Sequence, residues 1–162
     1  MTKSGFSLIE LTIVIGLLSL LILAISTTML MSIVTGNRIR TTTKVKQAGN
    51  YAIGQIQGML RNSKAIQSCD SIAGTITLVN SDGGLTTLMS ESDGQNTRIA
   101  SNSGVYLTPD NLNTYSFAIT CQPTETEPTL VKLSFDLRDV LPARATENPL
   151  LHFETSINLR NQ

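Results

Sequence analysis

Tryptophan is absent from this chain of 162 residues, and histidine occurs once, at His152. A lone imidazole is a poor start for acid-base catalysis or a histidine metal site, because both need further groups positioned around it. His152 also falls on the polar side of an alternating segment, with no local Ser, Cys or Asp motif beside it, so it reads as a structural or solvated histidine. Two cysteines, Cys69 and Cys121, are too few for a cysteine-rich scaffold and allow one intramolecular pairing. An exported chain would meet an oxidising compartment where such a bridge persists; two buried thiols in a sheet protein are the competing reading. No proline precedes Pro109, so none interrupts a long N-terminal helix. Acidic residues are missing between Glu10 and Asp70.

What is present is arranged unevenly. Lys plus Arg and Asp plus Glu balance at 12 each, so net charge favours neither nucleic acid nor an acidic partner. Arg38, Arg40, Lys44, Lys46, Arg61 and Lys64 crowd a basic stem, and most carboxylates follow in the second half, which makes an acidic head. Residues 11–34 carry no charge. As a helix that run is about 36 Å long, against a hydrocarbon core of about 30 Å. It is too long for the apolar region of a conventional signal peptide, and Ile22-Leu23-Ala24 is the nearest approach to a small-residue cleavage site.

Beyond the span, Val45, Ala48, Ala52, Ile56, Met59, Ser63 and Ile66 recur at steps of three and four. This predicts one helix continuing to about Ser63 with an apolar stripe. Gly36, Gly49, Gly54 and Gly58 each weaken it by up to about 1 kcal/mol relative to Ala, so the helix must lean on something, most simply its own sheet.

After Cys69 short β-type runs alternate with turn residues. Residues 75–79 and 85–89 flank a turn at 80–84, and residues 97–100 and 105–107 flank 101–104, which predicts two hairpins. Three longer runs alternate apolar and polar residues: Tyr115, Phe117, Ile119 and Cys121; Val131, Leu133, Phe135 and Leu137; Phe153, Thr155, Ile157 and Leu159. Period-two alternation predicts a half-buried antiparallel sheet whose apolar face covers the helix stripe. Residues 123–128 and 142–149 are predicted loops. The expected fold is therefore α+β, with one long N-terminal helix and an antiparallel head. Asp82 and Asp93 lie in oxygen-rich loops, but neither matches an EF-hand spacing and turn chemistry accounts for both. No metal or cofactor is expected.

The segment Lys3-Ser-Gly-Phe-Ser-Leu-Ile-Glu-Leu-Thr-Ile-Val-Ile15 combines a short polar leader, a glycine, an aromatic residue and one carboxylate within an apolar run. It resembles the cleavage and methylation motif of type IV prepilins and of the related pseudopilins of type II secretion. The resemblance implies a leader peptide at residues 1–5, a membrane or filament-core helix at 6–35, an amphipathic continuation at 36–67 and a globular head at 68–162. It implies cleavage after Gly5 by a prepilin peptidase, N-methylation of Phe6, and assembly through Glu10. A carboxylate on an apolar segment is costly, which calls for a positive partner. The family supplies one in the α-amine of a neighbouring subunit's Phe6, which exists only after the cut.

The helix-loop-hairpin order of the second half looks like the heads of minor pilins and J-type pseudopilins, and no proline lies in the stem. The resemblance thus implies a non-enzymatic filament subunit of the minor pilin or pseudopilin kind. It would be stored in the inner membrane with its N-terminus cytosolic and its head outside. Its partners would be other pilin or pseudopilin subunits, the peptidase, the inner-membrane assembly platform and membrane lipid. By charge count alone the basic residues after the span favour the opposite orientation, and the motif is preferred because the cut requires Gly5 to face the cytosol. A different class, an unpolymerised signal-anchored binding or adhesion protein, would use the helix only as a tether. The basic stem also raises DNA as a partner, but its charges spread around a helix with only Tyr51 as an aromatic platform. They are better read as meeting phospholipid headgroups before assembly and acidic heads of neighbours afterwards.

Overall fold

A computed structural model describes residues 7–102, 104–123, 128–140 and 148–159. Helix α1, Leu8–Asn62, runs unbroken for 55 residues, about 80 Å. It stops because Ser63 takes an extended conformation (φ −70°, ψ 145°) and the next amide, that of Lys64, donates to the carbonyl of Val79 at 2.7 Å. The chain is then captured by a sheet. Residues Ala65–Asp70 are strand β1, so the helical stripe ends before Ile66 and does not include it.

Strands β2 (Thr75–Val79), β3 (Leu85–Ser92) and β4 (Thr97–Ser101) follow β1 in an antiparallel sheet of order β1-β2-β3-β4. The expected hairpin of residues 75–79 with 85–89 forms, with Gly83 at φ +85° in its turn, a region that favours glycine. The second expected hairpin forms only in a minimal version, in which the Ser101 amide donates to the Val105 carbonyl at 2.8 Å and the Leu107 amide to the Ile99 carbonyl at 2.7 Å. Residues 97–101 pair with β3, and the 105–107 segment contributes a single bridge from Tyr106 to Ala100. Arg98 adds side-chain contacts to the same segment. Its guanidinium lies 3.9 Å from the centre of the Tyr106 ring and donates twice to the Thr108 carbonyl, at 2.9 and 2.6 Å. The Ile99 amide also donates to Thr108 Oγ1. Side chains thus reinforce a backbone pairing that is one bridge long.

The last three strands, β5 (Leu112–Gln122), β6 (Leu130–Asp139) and β7 (Leu151–Asn158), form a separate antiparallel sheet of order β5-β6-β7. The head therefore has two sheets. On β6 and β7 the alternation is as expected, with Val131, Leu133, Phe135, Leu137, Phe153 and Ile157 buried. On β5 it changes phase. A bulge between Tyr115 and Ala118, with Ser116 at φ +50°, leaves Leu112 and Thr114 buried before it and Ile119 and Cys121 buried after it. Tyr115 is consequently on the exposed side. The predicted loop at 123–128 falls largely, and that at 142–149 mostly, outside the described residues.

The core lies where the end of α1 meets β6 and β7, and where β5 abuts β1 and β4. Val45, Gly49, Ala52, Ile56 and Leu60 are the buried helix positions, with Ala48 and Met59 at the margin and only partly covered. Gly49 is required by contact. A Cβ there would come within van der Waals overlap of the Phe153 ring, which stacks in turn on Phe135 at 5.3 Å between centroids. Cys69 and Cys121 are joined by a disulfide that ties β1 of one sheet to β5 of the other.

Candidate functional site

The feature that the fold leaves without an internal purpose is the first part of α1. No residue from 8 to 44 is buried, and Leu8, Leu17, Leu20 and Leu23 are each more than three fifths exposed. The helix is long and apolar enough to cross a membrane. Its hydroxyl groups are suited to such a solvent. Thr12 donates to the Ile9 carbonyl, Ser19 to Ile15, Ser26 to Ile22, Thr27 to Ala24 and Thr28 to Ile25, at 2.8 to 2.9 Å. Each back-bond removes a polar hydrogen that hydrocarbon could not satisfy.

Gly5 and Phe6 lie outside the described residues, and Glu10 lies within them, in the first turn of α1. Its carboxylate has a local partner. The Ser7 amide donates to Glu10 Oε2 at 3.1 Å and the Ile9 amide to Ser7 Oγ at 3.4 Å, completing a capping box at the helix start. A carboxylate here also faces the positive end of the helix dipole. This role was missed in reading the motif, although Ser7-Leu-Ile-Glu10 carries the Ser-x-x-Glu spacing that announces it.

The basic residues of the stem divide by environment. Lys44 Nζ donates to Asp139 Oδ2 at 2.6 Å, and the Asp139 side chain is only 6% exposed. This ion pair fastens the stem to the end of β6. Arg38, Arg40 and Lys46 are exposed, and no ion pair to them occurs among the described residues. Tyr51 is 60% exposed on the uncovered side of the helix.

In the head, the loop carboxylates serve turns. Asp82 Oδ1 accepts the Gly84 amide, and Asp93 Oδ1 accepts the amides of Asn96 and Gln95. Those two amides, followed by Arg98 alongside, hold the Asp93 carboxyl below its ordinary value of 3.8. His152 Nδ1 pairs with Asp136 Oδ1 at 2.7 Å across β6 and β7, with the imidazole 61% exposed on the outer face of the sheet. Among the described residues, no three His, Cys, Asp or Glu side chains gather closely enough to hold a metal ion. No protein-family model, curated protein or solved structure matches the chain.

Proposed function

We propose that the chain is a structural subunit, of the minor pilin or pseudopilin kind, of a type IV pilus or a related secretion or DNA-uptake filament. In this reading it waits in the inner membrane as a single-pass protein, is cut after Gly5, is methylated on Phe6, and joins a filament when Glu10 meets a neighbour's new α-amine. The observation that carries the reading is the uncovered apolar stem. A helix that continues unbroken into the head, yet leaves residues 8–44 without a buried position, has a surface suited first to lipid and then to the stems of other copies. The back-bonded hydroxyls support the lipid stage. The motif around Gly5 and Glu10 supports the filament stage.

The capping box favours a second reading. It gives Glu10 a task in an ordinary anchor, whose head would be an unpolymerised surface-binding domain. The two readings separate on one substitution. Capping boxes accept glutamine as well as glutamate, whereas an ammonium partner needs the charge. Glu10→Gln is expected to leave membrane insertion intact and to block incorporation into filaments. Incorporation at the wild-type level would sink the amine pairing and leave only the cap. Mass spectrometry of the membrane-extracted protein should show methylated Phe6 as the first residue; an intact Met1 would refute the processing step.

A further inference from the structure

The collar of the stem, between the apolar run and the head, holds two guanidinium groups that have no ion-pair partner among the described residues. Residues 35–43 separate the apolar run ending at Val34 from Lys44, where the head begins to cover the helix. Measured along the helix axis, Arg38 stands about 6 Å beyond Val34 and Arg40 about 9 Å. The polar zone on each side of a bilayer is about 5 to 8 Å deep beyond the hydrocarbon. With side chains that reach several ångströms, both guanidiniums fall at the depth of lipid phosphates whenever residues 11–34 fill the core.

The other basic residues that follow the span in the stem do not share this placement. Lys44 is held by Asp139. Lys46 stands about 18 Å beyond Val34 and Arg61 about 40 Å, both past the headgroups. The collar itself contains no acidic residue, so nothing within it offsets the two charges. Two positions apart on a helix is a rotation of about 200°, which points Arg38 and Arg40 to opposite sides. Two cations on opposite sides match two separate headgroups better than one shared anion. Arginine suits the task because its planar fork pairs with phosphate oxygens bidentately.

We propose that Arg38 and Arg40 form a collar that binds anionic phospholipid headgroups, one on each side of the stem, and so fixes how deep the helix sits and how far the head stands from the membrane. This rests on the membrane-crossing part of the reading above and not on filament assembly. Charge near an anionic surface strengthens attraction about five-fold per cation, so the pair should give a selectivity of about thirty-fold at low salt.

The test uses the full chain in vesicles of equal parts phosphatidylethanolamine and phosphatidylglycerol, extracted in mild detergent, with retained lipid identified by native mass spectrometry. Wild type should retain phosphatidylglycerol in strong preference, with up to two molecules bound. Arg38→Gln with Arg40→Gln should retain both lipids in proportion to their supply. Lys46→Gln and Arg61→Gln should behave as wild type. Equal retention by the collar variant and wild type would overturn the proposal, as would equal loss on changing Lys46 or Arg61. A chain left entirely in the aqueous fraction would overturn the anchor and the collar together, whereas a vesicle-bound chain without lipid preference overturns the collar alone.

Discussion

The two parts of α1 are continuous in backbone and opposite in what sustains them. From Leu8 to Lys44 no residue of the helix is buried within its chain, and from Leu11 to Val34 its side chains are uncharged and mostly apolar on every side. From Val45 onward it is a one-sided helix, with Val45, Gly49, Ala52, Ile56 and Leu60 turned to the sheets and Asn50, Tyr51 and Gln55 turned away. The first part mixes leucine with many β-branched residues, carries Gly16 and Gly36, and needs an apolar surrounding. The second carries Gly49, Gly54 and Gly58 and needs the head. Unbroken helix is therefore two solutions to one problem, joined at the Lys44 to Asp139 ion pair.

Several measurements would sharpen or break that division. The largest effect is expected at the bridge between the sheets. Replacing Cys69 and Cys121 with Ala should destabilise the head by about 4 kcal/mol, since the link spans 52 residues of chain. A fall in thermal midpoint of the full chain in detergent reports it; an unchanged midpoint would mean that the sheets are held by packing alone. Next comes a matched pair of truncations within α1. Ile56→Ala, at a position 1% exposed, should cost about 3 kcal/mol of head stability, whereas Leu20→Ala should leave the head's melting unchanged. If Leu20→Ala also lowered the head's midpoint, the two parts of the helix would not be independent.

Gly49→Ala should cost about 2 kcal/mol, because its methyl would overlap the Phe153 ring and force the helix off the sheet. Gly54→Ala, whose added Cβ would meet nothing within 4 Å, should instead stabilise the helix slightly, so the two glycines should shift the midpoint in opposite directions. The smallest effect concerns pH. Asp93 has its folded pKa held below 3.8 by the Asn96 and Gln95 amides, so its contribution is present above that value and fades as pH falls through the folded one. Comparing melts of wild type and Asp93→Asn across that acid range should show a small difference that narrows at the lowest pH. A constant difference would assign the effect to geometry and not to charge.

Much of this division could be read from residues alone, and the failures are instructive. The apolar run and the period-two strands β6 and β7 are strong local patterns, and both appear where they were expected. The hairpin of residues 97–100 with 105–107 is only one bridge long, and Arg98 adds side-chain bonds to that segment that strand propensity cannot foresee. Tyr115 turned outward because one bulge moved the phase of β5. The helix stripe was placed one residue off at two points: Ala48 and Met59 sit at the margin, while Gly49 and Leu60 are buried. A glycine scores as a weakness in a helix until the ring that occupies its missing side chain is known. At the stem the oversight ran the other way. The capping box at Ser7 and Glu10 is a local Ser-x-x-Glu signal, and it competes with the long-range partner that a charged residue in an apolar run calls for.

The sequence by itself determined the elements whose cause is local. These are the length and apolarity of the stem, the helix start at Ser7, the alternation of the last strands and the segregation of basic stem from acidic head. Periodicity and composition act over a few residues, so they are visible in a single chain. Tertiary structure decided the rest. It split the head into two sheets and joined β1 to β5 by a disulfide. It chose Lys44 among the basic residues to meet a buried Asp139, and gave Gly49 its reason through Phe153. Each of these depends on residues far apart in the chain arriving at one place, and no local pattern encodes such a meeting.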